Sequence, residues 1–570
     1  MNKEKTMKFQ DYVYERPNLE EAKKQFETAL ASFSNATSVE AQDQAMKTIN
    51  DLRLAYSTME SLCHIRHTID TTNEFYLKEM EYFDEYSPSF SELDSKFYHA
   101  LVNANFRTEL EAKWGKLLFD MAAQKIKTFD PIIMEDLQKE NKLVTEYRKL
   151  TASAKIEFEG EVRNLSQMTP FAQSIDRETR KKASAAVSGF FADNEEQLDR
   201  IYDELVKVRT QMAKKLGYDN YVQYGYDRLG RLDYGPKEVA TYREQVYQDL
   251  VPVVNQLTDR KAERLGIKDI KSYDLNLEFL SGNPTPKGNK DWMVDKAVKM
   301  YSEMSQETKE FIEFMTSREL LDLEAKKGKA GGGYCTYLPN YKSPFIFSNF
   351  NGTAGDVDVL THEAGHAFQV FSSRGYEVPE YIWPTYEACE IHSMSMEFFA
   401  WPWIHLFFEQ DTPKYKYSHL AKAIAFIPYG VAVDEFQHIV YENPELTPAQ
   451  RKEAWRNLEK KYLPFKVYDE DPFLERGGFW FRQSHIFGTP FYYIDYTLAQ
   501  VCAFQYWIRA QENHAKAWDS YVKLCQTGGS QSFVSLLGVA ELNNPFVKGT
   551  IKTVMKPLAA YLDSVDDKAF

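Results

Sequence analysis

The sequence predicts a predominantly α-helical protein with one small β-structured segment beside its principal motif. At 570 residues the chain is several times the usual domain size and can bury a large core in two lobes or more. Its first 330 residues repeat apolar side chains at three- and four-residue spacing among Lys, Glu and Gln. The texture changes only at "KKGKAGGGYCTYLPNYKSPFIFSNFNGTAGDVDVL", where glycines and aromatics replace the helical pattern.

In chain order, "NLEEAKKQFETALASF", "AQDQAMKTINDLRLAYSTMESL" and "NEEQLDRIYDELVKVRTQMAKKL" each read as an amphipathic helix. Breaks fall at "FDPII", at "SQMTPFAQSIDRETR", at the Gly-rich "LGYDNYVQYGYDRLGRLDYGPKE" and at "LSGNPTPKGNKD". A division near residue 200 separates an N-terminal helical lobe, 1–200, from a catalytic domain, 201–570. Gly331 to Gly333 then precede a short aromatic run, Pro339-Asn340 reads as a turn, and "SPFIFSNF" has strand composition up to Asn351-Gly352. This is the expected β-hairpin. A helix opens at Gly355-Asp356, carries His362 and His366, and stops near Gly375. A second holds Glu387, Glu390 and Glu397, and a later one begins with Thr447 as cap and Pro448 in its first turn.

Composition excludes several classes. With 69 basic and 84 acidic residues the net charge is -15, so cavities repel phosphate backbones on average and no nucleic-acid partner is expected. The five cysteines are scattered and contain no CxxC pair, which speaks against a disulfide framework and against a thiolate zinc site. The beginning of the chain is charged where a signal peptide needs an apolar run, and no eighteen apolar residues stand together. The expectation is a cytoplasmic protein with no membrane segment. Aromatics make up 15% of the chain, mostly as packing between helices.

The chemistry concentrates at "THEAGHAFQV". Residues four apart share a helix face, so His362 and His366 offer two imidazole nitrogens to one ion, with Glu363 beside it. Zinc in hydrolases takes three protein ligands and keeps one position for water, so a third ligand must come from elsewhere. Glu390 on the next helix is the choice, with Glu387, three residues earlier, competing for it. Glu387 could also orient a histidine, and Glu397, seven after Glu390, stands on the same face as a partner for an imidazole N–H. A lone HExxH is a common accident; here it sits on a predicted helix, follows a strand and precedes an acid-bearing helix. His392 points away from Glu390 and reads as structural.

These residues resemble the thimet oligopeptidase and oligoendopeptidase F family of zinc metallopeptidases, the oligoendopeptidase F branch most of all. The resemblance rests on "HEAGH", on "EIHSMSME", on "GGGYC" with "SPFIFSNFNGTAGDVDVLTHEAGH", and on "HIFGTPFYYIDYTLAQ" and "GGSQSFVSLLGVAELNNPF". It spans roughly residues 200 to 560. It implies a two-lobed helical shell around a deep channel, one zinc ion on the channel floor held by His362, His366 and Glu390, and Glu363 as general base. The spacing of the ligand helix favours Glu390 over Glu387. An edge strand, here "SPFIFSNF", would take a peptide as an added strand, with Gly332, Gly333, Phe347, Asn349 and Tyr492 along the substrate. His485, Tyr493 and Tyr496 would stabilise the oxyanion, with Tyr492 as an alternative to Tyr493. One tyrosine of the family pattern has no counterpart, since Thr489 and Pro490 occupy its place.

The function expected is endopeptidase action on short peptides. The alternatives are a carboxypeptidase or dipeptidyl carboxypeptidase on the same scaffold, and a non-catalytic peptide-binding protein with a structural metal. Glu363 argues against the last, because peptide binding needs no acid beside zinc-spaced histidines.

Overall fold

The first long helices form where capping side chains meet amphipathic runs. In the computed structural model, which describes residues 6–570, Asn18 accepts from Glu21 N ahead of helix Leu19–Ser34, and Ser38 accepts from Ala41 N ahead of Val39–Ile69. Asn73 accepts from the amides of Phe75 and Tyr76 to start Glu74–Val102. Their apolar stripes close on one another through Phe26, Phe33, Ile49, Leu93 and Phe97, a core of their own that a later loop joins with Val378 and Tyr381. The remaining helices gather around a second, much larger core running from Tyr12 to Leu562, to which helix Val39–Ile69 also lends Leu62 and Ile65. Helix Glu195–Lys215 runs across residue 200 and contributes Leu198, Ile201, Leu205 and Met212 to that larger core.

Two small sheets interrupt the helices. Strands β1 (Ile156–Phe158) and β2 (Glu161–Arg163) form a hairpin around Glu159 and Gly160, a pair in positive φ. The second sheet lies beside the HExxH helix and has the order β3-β5-β4: β3 (Leu321–Glu324), β4 (Tyr334–Leu338) and β5 (Ser343–Phe350). β4 and β5 form the expected hairpin, with Tyr334 opposite Phe347 and Leu338 opposite Ser343. The expectation that "SPFIFSNF" is the edge strand is corrected: β3 pairs with its other side in parallel, so β5 is central and β4 is the edge. The cause is the unbroken apolar run of β5, whose residues Ser343 to Ser348 are all buried. Such a run belongs to a strand covered on both faces.

The turn after β5 aims the HExxH helix. Asp356 accepts from the amides of Asn351 (2.9 Å) and Gly352 (2.7 Å), closing the loop onto the first turn of helix Ala354–Ser373. The next helix, Tyr386–Phe399, packs against it so closely that a Cβ on Gly365 would stand 2.6 Å from Ser393 Cα and 2.7 Å from His392 O. Glycine therefore costs its helix up to about 1 kcal/mol relative to alanine and in return lets the two backbones touch. Helix Thr412–Glu442 and helix Tyr493–Thr527 complete the walls around the pair. Thr447 caps the helix that starts at Pro448 through Gln450 N, as expected.

Candidate metal centre and cleft

The contact between the two helices brings His362, His366 and Glu390 together. Glu390 Oε2 lies 3.2 Å from His362 Nε2 and 3.4 Å from His366 Nε2. All three donor atoms fall within 4.8 Å of one another. Atoms held about 2.05 Å from a tetrahedral ion are about 3.3 Å apart, so the spacing fits zinc. Burial works against charge on Glu390, yet the two imidazoles hold its carboxyl well below the usual range, while Glu390 and Glu397 in turn raise the pKa of His362 above the ordinary imidazole value. The other oxygen of Glu390 accepts from Tyr492 OH at 2.7 Å.

A relay behind the triad selects the tautomer of His362. Trp401 Nε1 can only donate, and it donates to His419 Nδ1 at 3.2 Å. His419 Nε2–H is then directed at Glu397 Oε2, 2.8 Å away. The other oxygen of Glu397 accepts from His362 Nδ1 at 2.7 Å, which leaves the Nε2 lone pair facing the triad. Glu397 thus partners an imidazole N–H. His419 and Trp401 carry no signal in the sequence; nothing in the spacing of "WPWIHLFFEQDTPKYKYSHL" points back to Glu397 and His362.

Glu363 stands alone on the cleft side of the helix. It is 8% exposed, its Oε2 has no hydrogen-bond partner among the described residues, and burial raises its pKa above the ordinary carboxylate value. Glu387 does not join the histidines. Both its oxygens lack hydrogen-bond partners among the described residues, and the cation offsetting its charge is Arg231.

Arg231 also holds the tyrosine loop. It donates to Asp495 Oδ1 and to Phe491 O, each at 2.6 Å, while Gln437 accepts from Phe491 N at 2.9 Å. Phe491 has φ +66°, a strained conformation for a bulky side chain, and these bonds over-determine it. The loop so fixed presents Tyr492, Tyr493 and Tyr496. Tyr496 OH lies 3.4 Å from His485 Nε2, and Gln483 donates to His485 Nδ1 at 2.8 Å. His485 is therefore the Nε2–H tautomer, and burial lowers its pKa to about 4, so it is neutral at pH 7. Tyr493 lies edge-on to His485, Phe426 and Tyr429 and lines a side chamber with His485 and Tyr496.

His362, Glu363, His366 and Glu390 line one cleft of about 610 Å³, together with Gly333, Cys335 and Thr336 at β4 and Tyr492 and Tyr496 opposite. Two of the expected substrate contacts are corrected. Phe347 is fully buried, its ring stacked against Tyr334 at 4.8 Å, because β5 is the central strand. Asn349 instead donates to Ala330 O and Gly332 O, bracing the glycine loop from behind.

A helical shell enclosing an HExxH helix, an acid-bearing partner helix and a strand-edged cleft defines a metallopeptidase. The chain belongs to peptidase family M3: the model for that family matches residues 171–555, and the peptidase M3 N-terminal domain matches residues 9–129. A solved structure described as Pz peptidase A with an inhibitor is 57% identical, with a TM-score of 0.96, and the match covers 98% of this chain and 100% of that one. An oligoendopeptidase F homologue of Borreliella burgdorferi is 26% identical over 400 residues, 68% of this chain and 66% of that protein. The chromosomal oligoendopeptidase F of Lactococcus lactis subsp. cremoris is 24% identical over 220 residues, 38% of this chain and 34% of its own length.

Proposed function

We propose that this protein is a zinc-dependent endopeptidase that hydrolyses internal bonds of short peptides, with the N-terminal lobe, 1–200, walling a cleft whose chemistry belongs to 201–570. The observation that carries the reading is the unpartnered, buried carboxylate of Glu363 beside three convergent donor atoms. His362, His366 and Glu390 hold the ion, and Glu397 keeps His362 in the ligating tautomer. Zinc, when bound, polarises a carbonyl and acidifies water. Glu363 takes the proton of the attacking water and passes it to the leaving amine nitrogen. His485 Nε2–H and the hydroxyl of Tyr496 donate toward the oxyanion, with Tyr493 or Tyr492 in reserve. The peptide lies along β4, the edge strand, and takes main-chain hydrogen bonds from it, with Gly332 and Gly333 leading into that strand. No helix among the described residues is long and apolar enough to cross a membrane, and a cytoplasmic setting is the proposed one.

A decapeptide blocked at both ends tests the reaction. Mass spectrometry is expected to find two internal fragments from the zinc-loaded protein. Loss of one or two C-terminal residues from free-acid peptides alone would establish a carboxypeptidase, and an uncut peptide with zinc in place a binding protein. Glu397→Gln is expected to weaken zinc binding by about 10–100-fold, read by competition with a chelating dye. Unchanged affinity would remove Glu397 from the metal site.

A further inference from the structure

Leu229, Gly230, Leu232 and Asp233 line the metal cleft, and Arg231 among them turns the other way, into the core, where its side chain has no exposure. The loop they form, between helix Tyr221–Arg228 and helix Pro236–Gln245, is tied to three other walls of the same cleft. Gln124 on helix Lys116–Thr128, whose Leu117 and Met121 face the cleft, donates to Arg231 O at 2.7 Å. Asp233 accepts from Val534 N at 2.8 Å, beside the cleft residues Ser532 and Phe533. The third tie is the Arg231 side chain.

A single nitrogen of Arg231, Nη2, makes both of its bonds to the tyrosine loop, to Phe491 O and to Asp495 Oδ1. Its two acceptors bracket Tyr492 to Ile494, so this one nitrogen fixes where helix Tyr493–Thr527 begins and how Tyr496, the residue after Asp495, is presented. The far side of Phe491 is closed by helix Tyr221–Arg228, where a Cβ on Gly225 would stand 2.7 Å from the Phe491 ring. A bulky residue held at φ +66° relaxes once its holding bonds go, and the tyrosines beside it move with it.

The hold continues upstream and reaches back to the N-terminal helices. Arg209 donates to Phe487 O, two residues after His485, and pairs with Glu140 on helix Met134–Ala152 at 2.6 Å. Tyr147, on that same helix, donates to Phe481 O at 2.9 Å. The stretch bearing His485 and Tyr496 is therefore held at three backbone carbonyls, those of Phe481, Phe487 and Phe491. Each donor either sits on an N-terminal helix or is bonded to a residue of one.

We propose that Gln124 and Arg231 are positioning residues for the reaction, carrying the placement of helix Lys116–Thr128 to the hydroxyl of Tyr496 and so aiming the oxyanion donor. Neither lines the cleft, so they act through the tyrosine and not on the substrate. This rests on the peptidase reading of the site. A donor to the oxyanion counts only when charge develops, so its misplacement slows the chemical step and leaves substrate binding in place.

A double-mutant cycle reads that coupling. In the zinc-loaded protein Gln124→Leu is expected to lower kcat about five- to ten-fold and to leave KM within about two-fold, since a slightly misplaced donor fails mainly the transition state. Added to Tyr496→Phe, the same substitution is expected to cost less than about two-fold, because the hydroxyl it aims is gone. Arg231→Lys, which keeps one nitrogen able to make both bonds, is expected to keep about ten-fold more kcat than Arg231→Met. Calorimetry with a phosphinic peptide, whose tetrahedral phosphorus resembles the intermediate, is expected to show an affinity loss in Gln124→Leu equal to its loss of kcat. The ordinary peptide of the same sequence is expected to bind Glu363→Gln protein equally with and without Gln124→Leu. A protein merely loosened by the substitution would bind the phosphinic peptide at fewer sites with unchanged affinity. That result, an undiminished loss in the Tyr496→Phe background, or a loss carried by KM overturns the proposal. If Arg231→Met fails to fold, Gln124→Leu, which removes one hydrogen bond and no charge, decides the matter. A wild-type protein that binds the phosphinic peptide and cuts nothing would remove the peptidase reading, and the affinity comparison would still uphold or overturn the relay.

Discussion

Glu363→Gln is expected to bind one zinc ion per chain and to hydrolyse peptides about 10²–10⁴-fold more slowly than the parent protein. The two expectations are separable because of where the side chain sits. Glu363 faces the cleft from the same helix as His362 and His366, yet it is not one of the three donor atoms that converge. The amide of glutamine is nearly the shape of the acid, so the helix contact through Gly365 is undisturbed. What disappears is a proton acceptor held in a buried position, where burial raises its pKa above the ordinary carboxylate value. Metal content by atomic emission together with single-turnover cleavage checks both halves. Retention of most activity would sink the base assignment, and loss of zinc would make Glu363 structural.

Glu390→Gln is expected to lose zinc affinity by more than about 100-fold, beyond the range typical of supporting partners. Glu387→Gln is expected to retain it. Glu390 lies against both histidines, and they stabilise its charged form. Glu387, one helical turn away, instead belongs with Arg231 and Asp495 behind the tyrosine loop. Replacing it changes a buried charge cluster and not the ion's surroundings. Equilibrium dialysis of the two variants against buffered zinc distinguishes them; the reverse order of affinities would transfer the ligand role to Glu387.

Much of the site was legible because its spacing is local. His362 and His366 share a face by helical period alone, and Glu390 and Glu397 do so one helix later. Gly365 is a costly residue in a helix, and its cause, contact with the Ser393 backbone, appears only when the second helix is placed. The order of the second sheet was read wrongly for a related reason. The strand signal of "SPFIFSNF" was plain, but β3 is a four-residue "LDLE" with no strand signature of its own, and its pairing made β5 central. Phe347 went into the core and Asn349 behind the glycine loop as a consequence. The β1 and β2 hairpin was missed too, being two three-residue strands in a polar stretch.

By itself, then, the sequence determined the helical class, the likeness to peptidase family M3, and which residues could meet a metal along two helix faces. These follow from short-range periodicity and from short contiguous motifs. Only the tertiary structure decided that Trp401 and His419 set the tautomer behind Glu397, that Arg231 and Gln437 pin the strained Phe491, and that β4 is the open edge. Each of these depends on which distant side chains remain partnered after packing, and pairing across hundreds of residues leaves no periodic trace in the chain.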